Sequence, residues 1–360
     1  MSDKKDVLIQ IAGGLGKNVM FTSLMPELKE KYEDIFVLSA YPDVFEACPY
    51  VSKAFNMNEP GIYQDLILDE NTDVFLRNPY DNINFVRKEE HLFDAWREDF
   101  GLPTSNNRNK PALETPMVEA GKTFPTNQSI YNALMRTFGT TDIGEFIIVQ
   151  FSGGQSPVAQ NENYNWKAEG LKRNYFKAQE LVDLYRNAHP DVKIIHYALN
   201  NEPVLEGTYR LNTLYLDYGE LAKAAKAIIC IDSSLQHLAT GKCKHINVIW
   251  GETKPEHFGY DCNNNILPKK YRNTQPYFIG LGPSPSYIKF ASPEEVFESV
   301  EEFQKTGEQE VTPISEIIKG AVDQGNGGQP MMGQPMMEQP MMVATENQAE
   351  AEEAEEAEEV

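Results

Sequence analysis

The chain has 360 residues, 41% of them hydrophobic and including 18 Phe and 17 Tyr, which is enough apolar material to fill two cores. Its formal net charge of −22 excludes a general DNA-coating role, because phosphate backbones are drawn to clustered Lys and Arg and repelled by such a field. Cys48, Cys230, Cys243 and Cys262 show neither C-x-x-C spacing nor a dense secreted framework, so they read as reduced thiols and not as a zinc site.

The amino-terminal Met1-Ser2-Asp3-Lys4-Lys5-Asp6 leads only into a short apolar strand, without a signal-peptide pattern, and no apolar run is long enough to span a bilayer. The expectation is a cytoplasmic protein. Residues 7–12 read as a parallel-sheet strand that runs into Gly13-Gly14-Leu15-Gly16-Lys17-Asn18 and then a helix over 19–32. Strand 35–40, a short segment at 42–46, strand 65–68 and helix 89–100 follow. Residues 101–127, rich in Pro, Asn and Thr, read as a surface connection. Helix 128–138 and the break Gly139-Thr140-Thr141 close a first domain, 1–140.

A second series begins with strand 146–151 and the loop Ser152-Gly153-Gly154-Gln155. Helix 175–188, strands 193–199 and 213–217, helix 219–226 and strands 227–231 and 246–250 complete a second domain, 141–292. Such alternation is the mark of βαβ units and a mostly parallel sheet. A last helix, 293–305, carries Val296, Phe297, Val300 and Phe303 at helical spacing. With the rest of 293–323 it is expected to brace the two domains. From 324 the sequence turns to low complexity: Gln-Pro-Met-Met repeats, then Glu-rich residues to Val360. This tail reads as a disordered, solubilising extension, with docking to a protein partner through a Met-tolerant groove as the alternative.

Two turns carry chemistry. Strand 227–231 runs into Asp232-Ser233-Ser234-Leu235-Gln236-His237, where a Ser233 cap puts Ser233 and His237 on one helical face beside backbone N–H groups that favour an anion. A pyrophosphate fits there. The plainer alternative is a capped core helix with an interior histidine. The Gly13-Gly14-Leu15-Gly16 turn lets a ligand approach backbone, or is simply a tight strand-to-helix turn; it is neither a dinucleotide fingerprint nor a Walker loop.

Gly13-Gly14-Leu15-Gly16 with Pro26, and Asp232-Ser233-Ser234-x-x-His237-Leu238-Ala239 followed by Val248-Ile249-Trp250-Gly251-Glu252-Thr253, resemble glycosyltransferase family 9 over residues 6–305. This is the family of the ADP-heptose:lipopolysaccharide heptosyltransferases. The resemblance implies an α/β GT-B fold, with two Rossmann-like domains and mostly parallel sheets facing a central cleft that takes a sugar nucleotide. The glycine turn is also similar to that of the GT-B-like fucosyltransferases, so the donor stays open.

On this reading Gly14, Gly16, Gly153, Asp232, Ser233, Ser234 and His237 line the donor site, with Asp232 orienting its loop by accepting the Ser234 or His237 N–H. Lys172 and Arg173 stand where the family has a cation for the diphosphate, though an exposed helix-flanking pair would look the same. Glu202, at a strand end, accepts ribose hydroxyls or is a turn residue. Aromatics of 253–260 stack on a ring or pack the core. The sequence has no Asp-x-Asp triplet, so no obligatory metal and no cofactor are expected.

The family's pattern is Gly-x-Gly-Asp, whose Asp is the proposed base, and this chain has Lys17 there. Either another residue is the base, Lys17 contacts a phosphate or acceptor carboxylate, or transfer activity is lost. Asp81 and His91 are the candidate bases, each also readable as turn former or helix cap. The expected function is transfer of a sugar from a nucleotide-diphosphate sugar to a hydroxyl of a glycan or other acceptor, with nucleic acid disfavoured. The alternatives are a catalytically inactive sugar-nucleotide-binding scaffold and a sugar-nucleotide epimerase or hydrolase.

Overall fold

The computed structural model describes residues 4–57, 59–78, 80, 82, 84–85, 90–103, 126–153, 174–198, 202, 204–251, 253–268, 290–307 and 310–319. Asp81, Lys172, Arg173 and the repeat tail lie outside the described residues.

The first half contains β1 (Asp6–Ile11), α1 (Leu15–Phe21), α2 (Met25–Lys31), β2 (Ile35–Ser39), α3 (Pro42–Glu46), β3 (Lys53–Asn56), β4 (Thr72–Phe75), α4 (Leu92–Asp99) and α5 (Thr126–Phe138). The second contains β5 (Phe146–Gln150), α6 (Ala178–Ala188), β6 (Lys193–His196), α7 (Tyr215–Leu221), β7 (Ala227–Ile231), α8 (Ser234–Ala239), β8 (Ile246–Ile249), α9 (Pro255–Phe258), β9 (Asn264–Ile266), α10 (Pro293–Gln304) and α11 (Ile314–Ile317).

Two parallel sheets result, in the orders β3-β2-β1-β4 and β6-β5-β7-β8-β9. The apolar runs of β5 and β7 are buried throughout, as strands covered on both faces must be. In each sheet the chain builds outward on one side and then crosses over. The crossover leaves a crevice at the carboxyl ends of β1 and β4 in one sheet, and of β5 and β7 in the other. Helix α1 packs against α8, so the element leaving each crevice meets its counterpart from the other half.

Several sequence expectations are corrected. The helix expected over 19–32 starts at Leu15 and is interrupted by a 3₁₀ turn at Thr22–Leu24, after which Pro26 occupies the first turn of α2. Proline's missing N–H and fixed φ suit that position and not a helix interior. Residues 65–68 are not a strand; Tyr63–Ile67 form a π-helical turn and the sheet edge is β4. Residues 213–217 open α7 instead of forming a strand. The Asp217 carboxylate accepts the Leu214 N–H at 3.1 Å and the Thr213 hydroxyl, satisfying the helix start.

Helix α10 packs chiefly on α6 and β9, and its Val296 and Val300 enter the second half's core. Its pattern was read correctly as apolar, but the pattern does not say which surface it covers. The larger apolar cluster joins strands of both sheets. All four cysteines are free, and among the described residues no helix is long and apolar enough to cross a membrane.

Candidate active site

The first turn is held from below by one buried amide. Asn18 donates through Nδ2 to the carbonyls of Gly13 (3.3 Å) and Gly14 (2.9 Å). Its Oδ1 accepts from the Ser39 hydroxyl at 2.7 Å, and Ser39 Oγ in turn accepts the Tyr41 N–H at 2.9 Å. The turn is thus tied to the end of β2. Gly13 has φ 107°, a backbone region that glycine enters at no steric cost. A side chain at Gly14 would meet nothing within 4 Å.

Lys17 folds back over Gly13 toward the end of β4. Its Nζ donates to Asn78 Oδ1 at 3.0 Å and sits 4.6 Å from the centre of the Tyr80 ring. Both contacts are ones that an ammonium group makes, so Lys17 brings positive charge to the β1/β4 crevice.

In the second half the loops after β5 and β7 touch. A Cβ on Gly153 would lie 3.0 Å from Ile231 Cδ1 and 3.2 Å from the Asp232 carbonyl oxygen, so glycine is what permits this approach. Ser233 is the N-cap of α8 in extended conformation, but its side chain makes no capping bond. Gln150 Oε1 takes the Leu235 N–H instead, at 3.2 Å. Asp232 Oδ1 accepts from Gln236 Nε2 at 2.7 Å, one helical turn away. The side chain of Gln236 therefore holds Asp232, in place of the backbone N–H expected from sequence.

His237 lies where the two turns meet. Its Nδ1 is 2.8 Å from the Tyr260 hydroxyl, and a Cβ on Gly16 would fall 2.9 Å from His237 Cδ2 and 3.4 Å from Ser234 Cα. Burial pushes the Tyr260 phenol well above its ordinary value, so that partner stays neutral. Glu202, with its side chain 12% exposed, accepts from Ser152 Oγ at 2.5 Å, and its Oε1 lies 3.4 Å from His196 Nε2.

No family model matches the sequence, and no curated protein matches it. Solved structures do. The crystal structure of a glycosyl transferase family 9 protein from Veillonella parvula DSM 2008 is 13% identical, with 85% of this chain and 99% of that one covered and a TM-score of 0.50. The iron-containing dodecameric glycosyltransferase TibC from enterotoxigenic E. coli H10407 is 10% identical, covering 85% of this chain and 80% of that one, with a TM-score of 0.51. A TibC structure in complex with ADP-D-beta-D-heptose matches with the same identity and TM-score, over 85% of this chain and 77% of that one. The fold is that of the family 9 glycosyltransferases.

Within this GT-B fold, Gly16, Ser234 and His237 come together at the junction of the halves, and Gly153, Asp232 and Ser233 line the second crevice, with Glu202 held against Ser152. His91 stands apart as a brace. It caps α4, its Nδ1 accepting the Phe93 N–H at 3.2 Å, while Nε2 donates to the Gly259 carbonyl at 2.8 Å across the two halves. The aromatics after β8 are core residues: Phe258 packs on Tyr80 and Phe85, and Tyr260 is fully buried. Sequence reasoning missed Asn18, Asn78, Tyr80, Gln150, His196 and the Tyr260 bond. His196 alone carried a local signal, as an imidazole ending an apolar strand.

Proposed function

We propose that the protein is a glycosyltransferase that moves a sugar from a nucleotide-diphosphate sugar to a hydroxyl acceptor in the cytoplasm, without an obligatory metal. The observation that carries this reading is the close approach of Gly16 to His237 and Ser234, which brings together the turns that leave the crevices of the two parallel sheets. Residues 141–292 take the nucleotide and residues 1–140 face the acceptor. The acceptor oxygen attacks the anomeric carbon, the bond to the diphosphate breaks, and the nucleoside diphosphate leaves with the electron pair. Backbone N–H groups at Ser233 and Ser234, with Lys172 and Arg173, offset the departing charge. Asp81 is the base in this proposal, since the Nδ1 lone pair of His91 is engaged by Phe93. The TibC complex with ADP-D-beta-D-heptose supports a nucleotide-sugar donor for this fold.

Thermal shifts with ADP-, GDP-, UDP-, CMP- and dTDP-linked sugars in EDTA test the reading, using the natural chain and His237→Ala. One nucleotide class raises the midpoint, and the rise is lost in the variant. No shift with any donor sinks the proposal. The Lys17 contacts favour a second reading, an inactive sugar-nucleotide-binding scaffold. Donor binding without product across an acceptor panel would establish that one, whereas release of free sugar without acceptor would indicate a hydrolase.

A further inference from the structure

The seam between the halves is built differently at its two ends. In sheet order β4 and β8 lie on one side of the crevices, β2 and β6 on the other. At the β4/β8 end the seam is buried and mostly apolar: Phe85 meets Phe258 at 6.2 Å, and buried His91 donates to the Gly259 carbonyl. Next to it α1 lies on α8 through the close approach of Gly16 to His237. At the β2/β6 end a tyrosine starts α7 and an aspartate stands in the first turn of α3. The Tyr215 hydroxyl donates to Asp43 Oδ2 at 2.7 Å, between residues 172 apart in the chain, and the Tyr215 ring stands edge-on to Tyr41 at 6.1 Å. All three of these side chains belong to half-buried residues.

The two ends cost different amounts to part. Separating Phe85 from Phe258 brings apolar rings into water and strands a buried imidazole, both of which are opposed. Separating Tyr215 from Asp43 exchanges one hydrogen bond for bonds to water that both groups already reach. Burial and the Asp43 carboxylate push the Tyr215 phenol up, so the hydroxyl keeps its proton and stays a donor whenever the two meet. One end holds fast and the other can be made and broken.

We infer that the Tyr215–Asp43 bond is a releasable latch: the halves rock about the buried contacts at Gly16 and His91, and the β2/β6 end of the seam opens and closes. On the nucleotide-sugar reading, on which this further step rests, that end is the route by which the donor enters and the nucleoside diphosphate leaves.

Amide hydrogen exchange on the full chain tests the latch, comparing the natural protein with Tyr215→Phe, which keeps the ring against Tyr41 and removes only the hydroxyl. Amides of 40–47 and 211–221 exchange roughly 3- to 10-fold faster in the variant, by one common factor on both sides of the seam, while 91–97 and 257–260 keep their protection. Asp43→Asn, which keeps an acceptor without its charge, gives a smaller rise, and adding it to Tyr215→Phe gives no further rise, because the same bond is lost only once. Tyr218→Phe is the comparison for a merely local loosening of α7: its hydroxyl donates to the Leu211 carbonyl at 3.1 Å within the second half, so exchange rises in 211–221 alone. The same one-sided pattern in Tyr215→Phe, or a rise at 91–97 as large as that at 40–47, overturns the latch and leaves the donor reading standing. Release of the preferred nucleoside diphosphate, followed by stopped flow, quickens in Tyr215→Phe by the factor seen in exchange, and unchanged release beside faster exchange overturns the route. Absence of binding by ADP, GDP, UDP, CDP and dTDP sinks the donor reading and the route with it, and the exchange pattern then decides the latch by itself.

Discussion

The two strand-to-helix turns occupy equivalent places in their sheets, and their surroundings differ. The turn after β1 rests on backbone carbonyls held by Asn18, above a core of aromatic contacts such as Phe21 on Trp96 at 4.9 Å and Phe75 on Phe100 at 3.9 Å. Its charge, Lys17, stays at the rim. The turn after β7 rests on buried side-chain hydrogen bonds: Gln150 to Leu235, Gln236 to Asp232, and His237 with Tyr260. Beside it Lys242 is ion-paired to Glu220 at 3.0 Å, with both side chains under 10% exposed. Buried side-chain hydrogen bonds fix one geometry, whereas an aromatic core with a rim charge leaves the surface adaptable. On the proposed function, the difference suits a constant nucleotide on one side and a variable acceptor on the other.

The largest effect is expected from breaking the buried ion network. Glu220→Ala leaves the Lys242 ammonium buried without its carboxylate, and urea denaturation should show a loss of about 3–5 kcal/mol. The exposed Lys5–Asp73 pair of the first half is the contrast, since Asp73→Ala should cost no more than about 1 kcal/mol. Burial pushes the Glu220 carboxyl up, but Lys242 and Lys223 together outweigh it and hold it below the ordinary value. A depressed folded value means that the stabilisation is present above the unfolded carboxyl's value, about 4.3, and lost as pH falls further. The gap between the natural chain and Glu220→Ala should therefore narrow below that pH.

The same contrast decides what was legible in the sequence. Buried strands such as β5 and β7 announce themselves as unbroken apolar runs, and the two turns follow them directly, so the parallel-sheet plan and both crevices were readable. Edge strands were not: β3, Lys-Ala-Phe-Asn, is half exposed and has no apolar run to detect. The alternating Leu-Tyr-Leu of 214–216 imitates a strand, and only the cap supplied by Asp217 makes it a helix start. In the site, side chains on the turns could be named, but partners such as Gly259 for His91, 168 residues apart, follow from tertiary packing that no local pattern encodes.

Two smaller changes probe the seam between the halves. In a free helix, replacing glycine recovers up to about 1 kcal/mol, but at Gly16 a new Cβ runs into His237 and the Ser234 backbone. Gly16→Val should therefore lose about 1–3 kcal/mol in chemical denaturation, while Gly14→Ala, with nothing within 4 Å, should change stability by less than about 1 kcal/mol. Tyr260→Phe removes the hydroxyl from His237 without changing shape. A cost of about 1 kcal/mol is expected, together with weaker nucleotide binding if the His237 ring is freed to turn.

The smallest effect on stability, and the most informative about chemistry, belongs to Lys17. Its hydrogen bond to Asn78 and its seat over Tyr80 are at the rim, so Lys17→Met should move the thermal midpoint little, by no more than about 1 kcal/mol of stability. Turnover separates the roles. A guanidinium keeps positive charge but cannot accept a proton, whereas methionine offers neither charge nor base. If Lys17 supplies charge to a bound anion, Lys17→Arg retains most of the transfer rate and Lys17→Met loses it. Equal loss in both variants would instead make Lys17 the base and turn the rim of the first half into the place where the acceptor's proton goes.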